Sequence, residues 1–254
     1  MAASRKLTKR MERAVIIAAF VTIVVLIICA NESLAQTKLV KEEKQKGYVP
    51  AGHGKLQSDQ SEIVKLYDRD GRILEESSKR FFPPLNKVIS YTKRNFYGVN
   101  GRLDSALTSS SDASSMKLVM LYDSTGRESG IQEYTGDGKP SFKSIFVFNI
   151  ANQKTRQEMY DIKGALFNLK NFTYNKQDNL VQEAGTEQGQ PRYRWSYEYD
   201  THNRLTKRED YSSDGNLIRT HRYDYNVEGR IVKETIIGTS GKTEQIVKYT
   251  YEFF

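Results

Sequence analysis

The chain has 254 residues and a formal net charge of +8, enough for one large domain or two small ones. Its single cysteine, Cys29, excludes an intrachain disulfide framework, and the mixing of both charge signs along the chain excludes the clustered basic stripe of a nucleic-acid binder. Hydrophobic content is a modest 38%, yet 16 Tyr and 11 Phe point to strands whose aromatic rings bury large areas.

Residues 1–35 read as a signal peptide or an N-terminal membrane anchor helix. A basic stretch holding Arg5, Lys6, Lys9, Arg10 and Arg13 runs into an uncharged apolar run from Ala14 to Ala30. Ser33-Leu34-Ala35 offers the small residues of a cleavage site. The 17 apolar residues lie between the length of a signal segment and that of a spanning helix, so both outcomes stand. Cleavage after Ala35 leaves a secreted or periplasmic protein. Retention leaves a tethered one whose body, by the positive-inside rule, lies outside the cytoplasm. Without residues 1–35 the body keeps 34 positive and 29 negative residues.

Residues 36–60 are charged, contain Gly-rich turns and show no sustained apolar period, which predicts a linker. A repeat follows over 61–254. Its aromatic position recurs at Tyr67, Tyr97, Tyr122, Phe148, Tyr174, Tyr199, Tyr225 and Tyr251, a period of about 26 residues. Most of these aromatics precede Asp or Asn, and Gly, Asn or Asp stands four residues after them, the types that tolerate positive φ. Arg72, Arg102, Arg127, Arg204 and Arg230 come next. A second turn series sits 12 residues after the first, around Gly138, Gly164, Gly215 and Gly241.

Two turns per period predict an all-β fold of tandem antiparallel hairpins in a meander, two strands to each repeat. Tyr193, Trp195, Tyr197 and Tyr199 alternate with Arg192, Arg194, Ser196 and Glu198, giving one apolar and one wet face. The segment 204–211 is more polar, which predicts only partial burial there. Residues 81–115 are irregular: Pro83-Pro84 belongs in a loop or at an edge, and Ser109–Ser115 forms a Ser-rich loop. Whether the sheet stays open, curls or closes is left open by the pattern.

Tyr197-Glu198-Tyr199-Asp200-Thr201-His202-Asn203-Arg204-Leu205 and Tyr223-Asp224-Tyr225-Asn226-Val227-Glu228-Gly229-Arg230-Ile231 resemble the YD repeat of RHS proteins. That resemblance implies a cell-surface or secreted β-repeat protein winding as a long strand spiral, used as a shell, in carbohydrate contact or in adhesion. It implies no catalytic residue. The 26-residue period, longer than the family's, puts a closed shell in doubt.

Tyr193, Trp195 and Tyr197 are the densest aromatic segment and include the only Trp. They suit a ligand-binding platform for sugar rings, or equally the core that a meander must bury. The Arg row suits anionic polymers, or else pairs locally with the turn Asp and covers a Tyr ring. His53, His202 and His221 lie apart, and no metal spacing or nucleophile motif is present. The expectation is a non-catalytic exported module, structural or binding, of the cell envelope, needing no metal or cofactor. Cell-wall polysaccharide, glycan or an envelope protein would be its partner, and only residues 1–35 would meet the membrane. A transmembrane β-barrel of an outer membrane is the alternative.

Overall fold

The computed structural model describes residues 39–51, 55–82, 87–112 and 114–254. The expectations for residues 1–35, His53, Pro83 and Pro84 lie outside the described residues. The rest forms sixteen strands: β1 (Val40–Pro50), β2 (Leu56–Tyr67), β3 (Ile73–Phe82), β4 (Lys87–Tyr97), β5 (Leu103–Ser110), β6 (Ser115–Tyr122), β7 (Glu128–Thr135) and β8 (Pro140–Phe148). They continue as β9 (Lys154–Tyr160), β10 (Leu166–Tyr174), β11 (Leu180–Glu187), β12 (Gln190–Tyr199), β13 (Leu205–Ser212), β14 (Leu217–Tyr225), β15 (Ile231–Gly238) and β16 (Thr243–Phe253). Each strand pairs antiparallel with its sequence neighbours, and β1 pairs with β16, so the meander closes into a barrel.

The repeat makes the hairpins. In Tyr67-Asp68-Arg69-Asp70-Gly71-Arg72 the Asp68 carbonyl accepts from Gly71 N–H at 3.1 Å, and Asp68 N–H donates to the Arg72 carbonyl at 2.9 Å. Gly71 holds φ +78°, the left-handed residue of a type I turn with a bulge. The Asp68 carboxylate accepts from the backbone N–H of Asp70 and Arg72, both at 2.9 Å. Asn152, Asp178 and Asn203 take the same left-handed place where Gly is lacking. These turns, with Leu39 and Phe254, line one rim of the barrel, here the entry rim; the second turn series lines the opposite rim. There the β11–β12 connection shortens to Gln188-Gly189, both at positive φ.

Tyr side chains tie the entry rim together. Tyr97, Tyr122, Tyr199, Tyr225 and Tyr251 donate their hydroxyls to the carbonyls of Ile73, Leu103, Leu180, Leu205 and Ile231, at 2.8–2.9 Å. Each bond joins one turn to the exit of the turn before it. The Arg row acts locally, within and between neighbouring turns. Arg72 and Arg204 donate through Nε to Asp68 and Asp200 at 2.7 Å, while their guanidinium groups lie 5.2 and 5.0 Å from the ring centroids of Tyr97 and Tyr225. Tyr225→Phe should therefore lose about 1 kcal/mol of stability, read as a lowered urea midpoint with the barrel intact, since Phe148 already fills that place in another repeat.

Three expectations are corrected. Residues 36–60 are no linker over their described length: β1 and the start of β2 lie there, and they close the barrel. The strand spiral implied by the YD-repeat resemblance does not form. The Tyr-Asp-x-x-Gly-Arg motif specifies a turn, a bulge and a rim bond, all local, and serves a meander that closes as well as one that spirals. The inner face is also not simply apolar. Registers place Glu43, Lys65, Glu76, Lys93 and Thr108 side by side on β1 to β5, alternating in sign over the first four. The 204–211 segment, read as partly buried, buries Arg208 on this same face.

Candidate functional site

Strand alternation sends Tyr193, Trp195 and Tyr197 of β12 to the inside, against Gly185 and Glu183 of β11 and Arg208 and Asp210 of β13. Tyr193 leans over Gly185, where a Cβ would collide with the ring. Its hydroxyl reaches Glu183 Oε1 at 2.5 Å, and its ring centroid lies 4.7 Å from that of Trp195. Glu183 is 0% exposed, with Lys170 Nζ of β10 3.6 Å away. Burial, reinforced by the Glu183 carboxylate, pushes the Tyr193 phenol far above its ordinary range, so it stays a donor. Burial pushes the Lys170 amine down.

Arg208 links this group to a second one. Its guanidinium lies 5.2 Å from the Trp195 ring and holds Asp210 through two bonds, Nε to Oδ1 at 2.7 Å and Nη2 to Oδ2 at 3.1 Å. His221 of β14 stands between two carboxylates, with Nδ1 2.7 Å from Glu234 Oε1 and Nε2 3.0 Å from Asp210 Oδ2. Arg208 Nη2 also approaches His221 Nε2, at 2.8 Å. Tyr249 donates to Glu234 Oε2 at 3.1 Å. Burial opposes charge on the ring, but the bonds to Asp210 and Glu234 outweigh it and raise the His221 pKa. Each imidazole nitrogen thus has a carboxylate oxygen within 3.0 Å.

The three aromatics read from the sequence thus come together, but inside the barrel. Tyr197 is buried and Trp195 half-buried. The sequence reading missed Lys170, Glu183, Asp210 and Glu234 and gave His221 no role. The available signal was charge at positions of inward parity. A separate cavity of about 310 Å³ lies near the opposite rim at β7 to β9, lined by Phe142, Ile145 and Ile162 with Lys143 and Asp161.

Fold and interior together define a closed sixteen-stranded meander barrel whose inner face carries acidic, basic and aromatic side chains. Among solved structures it is similar to a porin-like protein from Bacteroides uniformis, at 11% identity and TM-score 0.58, over 84% of this chain and 98% of that one. A LolA superfamily protein from Nitrosomonas europaea is 13% identical over 84% and 85% of the two chains, with TM-score 0.30. A porin-like protein from Bacteroides vulgatus is 11% identical over 85% and 99%, with TM-score 0.27. No family model matches the chain, and no curated protein matches it. The first likeness shows the fold alone, and with barrel closure it replaces the YD-repeat assignment.

Proposed function

We propose that this protein is a water-surrounded barrel of the cell envelope, on the outer side of the cytoplasmic membrane, that serves as a binding or structural module. The observation that carries this reading is the outward face. At mid-height Lys44, Glu62, Lys79, Arg194, Arg222 and Lys248 all point out of the barrel, spread around β1 to β3 and β12 to β16. A Lys or Arg facing lipid at the bilayer midplane costs roughly 2–4 kcal/mol, so this wall suits water. The buried inner face supports the same reading, because a sixteen-stranded pore leaves an aqueous channel. Here Lys170, Glu183, Arg208 and His221 lie shielded from solvent.

Glycans or an envelope protein are the partner class, with the cavity at Phe142 as the accessible contact region and the inward Tyr193, Trp195 and Tyr197 reached only by a ligand that enters the barrel. Membranes carrying a chain that lacks residues 1–35 are expected to release it in alkaline carbonate without detergent. Continued need for detergent, or ion conductance across a planar bilayer, would count against the reading. A screen of wall polysaccharides and glycans with the full chain and Trp195→Ala then tests the aromatic region.

A further inference from the structure

We infer that the entry rim rests on a phospholipid surface through three aliphatic turn tips. Val99, Ile150 and Val227 are 112%, 109% and 105% exposed, more than any other large apolar side chain described. Each is the residue after Gly98, Asn149 or Asn226 in its turn. That position needs no apolar side chain, since Arg69, Ser124, Lys176 and Thr201 occupy it in the other turns of this rim. The opposite rim offers only Ile162 in a comparable place among the described residues, at 71%. Full exposure of three β-branched residues gains nothing for the fold.

Their placement selects the partner. The tips lie at the β4–β5, β8–β9 and β14–β15 turns, four, six and six strands apart around the closed ring. Three points so spread define a plane and form no compact patch, which fits a bilayer surface and not the central cluster of a protein interface. None of the seven tip residues is acidic and Arg69 and Lys176 are basic, while exposed Asp70, Asp178 and Glu228 stand one or two residues further along the same turns, so the contact is carried by the aliphatic tips and not by net charge.

The chain enters the barrel on this rim at Leu39, whose carbonyl accepts from Phe254 N–H at 3.3 Å. Residues 31–38 separate it from the apolar run Ala14–Ala30, and eight residues reach at most about 30 Å. The inference rests on the water-surrounded reading above, because a barrel crossing the membrane would put its wall in lipid as well.

The test uses the full chain reconstituted in vesicles of phosphatidylethanolamine and phosphatidylglycerol, with brominated lipid as quencher. Val99→Trp, Ile150→Trp and Val227→Trp are compared with Ile162→Trp on the opposite rim and Leu107→Trp on the outer wall. The signal is the difference from the parent, whose Trp195 faces inward. Loss of most of the added emission at all three tips, with Ile162→Trp and Leu107→Trp unquenched, is expected. Tips as unquenched as Ile162→Trp, or one quenched tip alone, overturn the inference. Quenching at Leu107→Trp overturns the water-surrounded reading instead. Blue-shifted tip emission that persists in detergent without vesicles would assign the rim to a second copy of the chain and also overturn it.

Discussion

Lys170→Met is expected to destabilise the barrel by about 3–5 kcal/mol, the cost of leaving a buried charge without its partner. Lys170 Nζ is the cation 3.6 Å from Glu183, and both side chains lie within the barrel wall's inner layer, 5% and 0% exposed. Once the ammonium is gone, Glu183 keeps the Tyr193 hydroxyl on Oε1, while Oε2 has no hydrogen-bond partner to take over. A fully buried carboxylate left without its cation and with one oxygen unbonded costs stability. The paired change Lys170→Met with Glu183→Leu should recover most of the loss, because apolar replacement of a whole buried pair is often neutral or better. Urea unfolding of parent, single and double variants decides. A double variant as unstable as the single would show that packing around Phe172 and Trp195, not charge, sets the cost.

The legible and illegible parts of this fold divide along locality. The 26-residue period, the Asp or Asn start and the left-handed Gly were readable because each turn is built from six consecutive residues. The Arg row was readable for the same reason, as Arg72 finds Asp68 within its own turn and the Tyr97 ring in the next. Closure was not, since it depends on β1, where Lys41-Glu42-Glu43-Lys44-Gln45 has no apolar alternation. Its inward Glu43 is satisfied by Lys65 at 3.0 Å and its outward Lys44 by Glu42. A strand polar on both faces reads as a linker.

The inner site was hidden by the same rule. Glu183, Lys170 and Tyr193 come from three strands, and a single charge between neutral neighbours carries no sign that its partner lies 13 residues away. Trp195 and its Tyr neighbours were legible as a row, but parity alone does not say which face of a sheet becomes the inside. Burial of Arg208 and His221 settles that for β13 and β14. The YD-like segments failed as a guide to global shape because their recurring chemistry goes into turns. A hairpin with a bulge adds the same local twist whether the sixteenth strand meets the first or not.

Stability of the barrel should pass through a maximum in mildly acidic solution and fall as pH rises beyond neutrality, with His221 as the group responsible. Arg208 and Asp210 face it from β13, Glu234 from β15, and Tyr249 of β16 and Tyr223 complete its surroundings. Protonated, the ring makes a neutral quartet of two cations and two carboxylates. Its pKa is raised above the ordinary 6.5, so its contribution is complete below about that pH and is lost as pH climbs through the raised value. Asp210 and Glu234 are depressed below their ordinary 3.8 and 4.5, since the bonds from His221 and the Arg208 charge outweigh burial. Their contribution is complete above those values and is lost as pH falls through the depressed ones. A tenfold difference in proton affinity between the folded and unfolded chain corresponds to about 1.4 kcal/mol. His221→Phe should remove the decline above neutrality and cost about 3 kcal/mol in mildly acidic solution, because Glu234 and Asp210 each lose a donor. Urea midpoints across the pH range, with the imidazole titrated by NMR, measure both effects. An alkaline decline that survives in His221→Phe would assign it to another group, and a ring titrating below 6.5 would reverse the sign of the argument.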